Sequence, residues 1–177
     1  MIRKSIICFI VLSWFIGAQG ESELTPKQVI DRLKSSSTQD GIKVGLIIDP
    51  HKSDSINDVY AAIITLPAGS NYTAYDVLLK SGISMVKHPQ FKTPPKVLIL
   101  SLMGIPPDTT SDGNRTWTFF VLENSKWILP KKPDDEILAS VSEAPVSDGS
   151  IIGFSRTTWV RINQNEFKPK YEPRIGK

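Results

Sequence analysis

Val97-Leu-Ile-Leu-Ser-Leu-Met-Gly-Ile-Pro106, Arg115-Thr-Trp-Thr-Phe-Phe-Val121 and Ser147-Asp-Gly-Ser-Ile-Ile-Gly-Phe-Ser-Arg-Thr-Thr-Trp159 together decide the fold. Each is an apolar run rich in β-branched and aromatic residues, and the first two are joined by a Gly/Pro/Asp-rich connection, the pattern of strands. Asp148-Gly149 before the third run is a turn signal, because glycine accepts a positive φ that other residues avoid. Strands are therefore predicted near 97–103, 116–122 and 150–158. Upstream, Ile42 to Ile48 is apolar and stops at Asp49-Pro50, and Tyr60 to Leu66 stops at Pro67-Ala-Gly69. The polar turn from Asp54 to Asp58 makes these two runs an antiparallel hairpin.

A helix is predicted over 73–81. Thr73 caps it, Tyr75, Leu78 and Leu79 recur at i, i+3 and i+4, and Gly82 stops it in the left-handed region. A shorter helix follows Thr25-Pro26, with Val29, Ile30 and Leu33 on one face. Residues 83–96, rich in Lys and Pro, read as a loop. The order of elements gives an α+β domain of β-grasp-like type, a mixed sheet with one packed helix.

The organisation expected is a signal peptide over 1–20, a short helix and linker over 21–40, the β-domain over 41–162, and a disordered basic tail over 163–177. Arg3 and Lys4 precede the apolar run Ser5–Ile16, and Gly17-Ala18-Gln19-Gly20 supplies small residues for cleavage, so a secreted, extracellular protein is expected. That run is too short to favour a membrane span, and no later segment is long enough for one. The single cysteine, Cys8, lies inside the signal, which leaves the mature chain without disulfides. The full chain carries a net charge of +3, and removal of Arg3 and Lys4 lowers it to +1. A near-neutral protein offers no electrostatic argument for nucleic acid.

Catalytic chemistry is poorly supplied, and no enzyme activity is expected. The two histidines, His51 and His88, lie in polar contexts and read as solvated loop residues, with no nucleophile elbow nearby. Asp134, Asp135 and Glu136 read as a solvated charge run. Asp54, Asn57 and Asp58 supply oxygens but lack the Gly and terminal Glu of a calcium loop, so no metal site and no required cofactor are expected. Asn71-Tyr-Thr73 and Asn114-Arg-Thr116 are glycosylation acceptor sequons in predicted loops. On the strand at 116–122, Trp117, Phe119 and Val121 share one face while Thr116, Thr118 and Phe120 share the other, and either face can be the core.

Ser101-Leu-Met-Gly104, Thr116-Trp117-Thr-Phe-Phe120 and Ser147-Asp148-Gly149 resemble the C-terminal β-domain of the transcobalamin, intrinsic factor and haptocorrin family, and related domains on bacterial surfaces. The Pro-x-Gly-Ser turn leading into the helix at 73–81 adds to the resemblance. It implies a secreted binding module for cobalamin or another corrinoid, with a role in its transport. It further implies that Trp117 covers the ligand, that Leu102, Met103 and Gly104 approach it, and that Trp127 in an apolar loop is a further contact. A flat indole and close-approaching glycine backbone suit a broad, mostly apolar macrocycle. The segment before Ile42 is too short for the large helical barrel of those carriers, so a half-site with weaker affinity is expected. The alternative class is an extracellular protein-interaction domain with no small ligand, using a sheet edge or the Trp127 loop.

Overall fold

The computed structural model describes residues 24–35, 41–111, 113–131, 139–164 and 166–176. The expected signal peptide and the Asp134–Glu136 run lie outside the described residues. The elements are α1 (Pro26–Ser35), β1 (Ile42–Asp49), β2 (Tyr60–Leu66), β3 (Tyr72–Thr73), α2 (Ala74–Ser81), β4 (Met85–Thr93) and β5 (Lys96–Leu102), followed by β6 (Asp108–Thr110), β7 (Gly113–Glu123), β8 (Lys126–Ile128), β9 (Pro145–Val146), β10 (Ile151–Arg161) and β11 (Phe167–Pro169). The fold is α+β, with a curled mixed sheet in the order β2-β1-β10-β7-β6. The hairpin expected over 42–66 forms in unbroken register from Ile42↔Leu66 to Ile48↔Tyr60. The chain returns so that β10 runs parallel to β1, Gly45 opposite Ile151 and Asp49 opposite Ser155. That central parallel pair, with a helix following the first hairpin, is the β-grasp arrangement.

The sheet is covered on both faces. On one, α2 packs Val77 and Leu78 against Val44, Leu46, Ile48 and Phe154. On the other, Val29, Ile30 and Leu33 of α1 meet Ile47 and Ile151. Each such side chain contributes roughly 1.5–3 kcal/mol by leaving water. Strands buried on both faces lose the polar/apolar alternation, which is why Val44 to Asp49 are all buried. Gly45 is required here: a Cβ at that position would sit 2.8 Å from Leu33 Cδ1 and 2.9 Å from Val29 Cγ1.

Local signals explain the joints. Asp76 Oδ2 accepts hydrogen bonds from Thr73 N at 2.8 Å and Thr73 Oγ1 at 2.7 Å, fixing the start of α2, and Gly82 ends it at φ 70°. The buried face of α2 is Ala74, Tyr75, Val77 and Leu78, whereas Leu79, expected to be buried, is 53% exposed. Asp148 Oδ1 accepts from Lys43 N at 2.7 Å, which ties the predicted Asp-Gly turn to the start of β1.

Two expectations are corrected. Residues 83–96 are not a loop: β4 pairs with β5 through Val86↔Ser101, Lys87↔Ile99, Lys92↔Val97 and Thr93↔Lys96. Pro89 lies within a register shift that sets His88 to Phe91 against Leu98 alone, a bulge that tolerates the missing N–H. The tail is not disordered over its described residues either. Phe167–Pro169 pairs with Arg161–Trp159, and the chain then runs back along the sheet to Gly176.

Candidate functional site

The β4–β5 hairpin forms a two-stranded sheet of its own, and between it and β7 lies a cavity of about 510 Å³. Its lining includes Val97, Leu98, Ile99 and Leu100 from β5, Trp117 and Phe119 from β7, Phe154 from β10, and Leu129, Pro130, Ala139 and Val141 from the connection after β8. His88, Phe91, Lys96, Thr118, Ser140, Glu143 and Trp159 complete it. The volume falls within the range of small-molecule sites, and a mostly apolar lining with few polar groups is their usual composition.

Strand register explains the aromatic wall. Phe119 lies opposite Phe154 and Trp117 opposite Arg156, and the two phenyl rings pack with centroids 5.3 Å apart. The Trp117 indole N–H donates to Ile105 O at 2.8 Å, so its polar edge is satisfied within the protein while the half-buried ring borders the cavity. Ser140 and Ser142 both donate to Pro95 O, at 3.2 and 2.9 Å, tying the connection after β8 to the hairpin tip.

The residues implied by the resemblance do not converge. Trp117 lines the cavity. Leu102 is fully buried in the core. Met103 and Gly104 form the turn after β5, with φ 54° and 71°, closed by Ile105 N donating to Leu102 O at 2.8 Å. Trp127 belongs to β8 rather than a loop and faces away from the cavity. Its indole covers Gly153, where a Cβ would sit 2.7 Å from the ring, and donates to Pro173 O at 2.8 Å. Asn71 is exposed before β3, whereas Asn114 is exposed within β7 opposite Thr109, not in a loop.

A second polar cluster went unanticipated. Asp49, fully buried at the end of β1, accepts from Arg174 Nε at 2.7 Å, Arg174 Nη2 at 2.8 Å, Arg174 N at 2.9 Å and His51 N at 2.9 Å. Burial pushes its carboxyl up, but the Arg174 bonds and His51 more than offset this and hold it below its ordinary value. His51 is not a solvated loop histidine: its Nε2 lies 3.1 Å from Glu172 O and 3.3 Å from Asp49 Oδ2. Desolvation lowers its pKa despite the nearby carboxylate, so the ring is neutral at pH 7. The signal that could have found this cluster is an acidic residue closing the apolar run from Val44 to Ile48.

Among the described residues no group of three or more His, Cys, Asp or Glu side chains is placed to hold an ion. Asp49 has both oxygens occupied by N–H donors, and Asp58 Oδ2 accepts from Ser53 Oγ. Among the described residues no helix is long and apolar enough to cross a membrane.

No family model matches the chain, and no curated protein matches it. Among solved structures, the chain is similar to a "putative metal binding protein" from Ruminococcus gnavus, with 11% identity, a TM-score of 0.37, and coverage of 73% of this chain and 99% of that one. A likeness at that score carries no argument about fold or function.

Proposed function

We propose that the chain is an extracellular binding module, not an enzyme, whose small ligand seats in the cavity beside Trp117, and that this ligand is a corrinoid. The observation that carries the reading is the Trp117 indole. Its N–H is spent on Ile105 O, and its ring joins Phe119 and Phe154 in an aromatic wall around open space. Flat apolar surface of that kind covers a macrocycle well. The corrinoid identity comes from the transcobalamin-like motifs around Ser101, Trp117 and Asp148, and the leader-like first twenty residues support secretion.

Titration of the purified chain with cobalamin, followed by corrin absorbance and tryptophan fluorescence, tests it. A saturable response that Trp117→Ala removes is expected. The absence of any response up to ~1 mM, where even ~4 kcal/mol of binding registers, removes the corrinoid reading.

A protein-interaction role is the second reading, and β2 favours it. The strand ends the main sheet, and from Tyr60 to Leu66 it carries no charge and no proline. Its outward side makes no backbone hydrogen bond among the described residues. Natural edges are commonly guarded against strand addition, and this one lacks the usual guards. Stable co-purification of a partner, released by Ile63→Pro and with no ligand response, would favour this role.

A further inference from the structure

We infer that the cavity takes an anionic amphiphile: an elongated apolar body carrying one carboxylate-class head group, of the long-chain carboxylate type. This rests on the part of the proposed function that makes the cavity a ligand site, and it names an occupant that is an alternative to the corrinoid. The body is set by the walls. Val97, Ile99, Trp117, Phe119 and Val141 offer only hydrocarbon and aromatic surface inside. At the same cavity, Phe91 and Leu98 are left 39% and 45% exposed, so apolar contact continues past the interior, as an extended chain requires and a compact polar ligand does not.

The head group is set by the charges. Lys96 borders the cavity and is exposed, and among the described residues its ammonium has no hydrogen bond or ion pair. The one acid in the lining, Glu143, is engaged, its Oε2 accepting from Ser140 N at 3.0 Å. His88 supplies a second donor. Its Nδ1 accepts from Gln90 N at 3.2 Å, which leaves the proton on Nε2. The bulge from His88 to Phe91 therefore brings a donor and an apolar ring to one rim. A lysine on its flexible stem follows a head group as a mobile point charge, and an anionic head group gains a charge-assisted contact there that a neutral one does not.

The test uses decanoate, dodecanoate and dodecanol below their micelle-forming concentrations, with quenching or shift of tryptophan emission as the readout. Dodecanoate should bind more tightly than dodecanol, and each added methylene should raise carboxylate affinity roughly fourfold. Lys96→Gln should weaken dodecanoate roughly five- to tenfold while leaving dodecanol and the melting temperature unchanged. Phe91→Ser should weaken both ligands alike. Equal affinity for acid and alcohol, no chain-length dependence, or no binding would each overturn the inference. Pelleting with phosphatidylglycerol vesicles without response to free dodecanoate would overturn it too, placing the head group in a bilayer. A chain that binds cobalamin but not dodecanoate leaves the corrinoid reading standing and removes this one; the reverse removes the corrinoid alone.

Discussion

The two faces of the β10 region are finished in opposite ways. On the side of Gly153 and Ser155, the C-terminal strap closes the sheet. Trp127 and Pro173 fill the space over Gly153, and Arg174 and His51 occupy both oxygens of Asp49. On the side of Phe154 and Arg156, the β4–β5 hairpin stands away from β7 and leaves aromatic surface bordering a cavity. One face spends its tryptophan on packing, and the other leaves its tryptophan at a boundary. Buried charge is tolerated only where partners are complete, so the polar closure is structural in character, and the proposed ligand site falls on the face left incomplete.

The largest expected effect breaks the closed face. Arg174→Ala leaves a buried carboxylate without its guanidinium, and removal of one member of such a pair typically costs about 3–5 kcal/mol. Thermal unfolding should show a loss of many degrees, while ligand response at the cavity, measured well below the new midpoint, should not change. Loss of both together would mean that the two faces are not independent.

Next comes Gly153→Ala. The added methyl must push Trp127 and Pro173 aside from 2.7 and 2.8 Å, and overpacking of this kind costs about 1–3 kcal/mol. Denaturant melts that show no loss would place the strap as a loosely held segment.

On the open face, Trp117→Ala should cost less than full burial would imply, about 1–2 kcal/mol against the 3–5 of a wholly buried tryptophan, because the ring is only half-buried. Ligand response should vanish in the same variant. A stability loss of 4 kcal/mol or more would make Trp117 a core residue and leave the cavity without its indole wall.

Much of this contrast was legible in part of the sequence only. Ile42–Ile48, Tyr60–Leu66, 73–81 and the 97–159 runs declare themselves because their apolar patterns and their Gly, Pro and Asp stops act over a few residues. The Trp117/Phe119 grouping was also readable from strand alternation. The β4 strand was not, since Pro89, Pro94 and Pro95 interrupt every local pattern and only pairing with β5 holds it extended. The cavity follows from that non-local pairing, so His88, Phe91 and Lys96 carried no site signal. Arg174 was hidden for a related reason: a Lys/Pro-rich composition reads as a tail, whereas its partner Asp49 is 125 residues away. Trp127 had the right chemistry for a ligand and the wrong face, which only the β7–β8 register decides.

The smallest expected effect is acid sensitivity confined to the closed face. The pKa of His51 is lowered by burial from its ordinary 6.5, so the native state binds its proton less readily than the unfolded chain does. The stability this supplies is complete above 6.5 and is lost as pH falls through the lowered value. Asp49 acts in the same sense at lower pH: its carboxyl lies below the ordinary 3.8, so its contribution is complete above that value and disappears as acid protonates it. Two steps of destabilisation are therefore expected on acidification, the histidine first. His51→Gln keeps an N–H able to reach Glu172 O but cannot titrate. Melting curves of that variant from pH 7 to 5 should be flatter than those of the parent, with the deeper acid step retained. If the parent itself gains stability on acidification to pH 5, His51 is charged in the native state and Asp49 is its ion-pair partner, which reverses the assignment of that face.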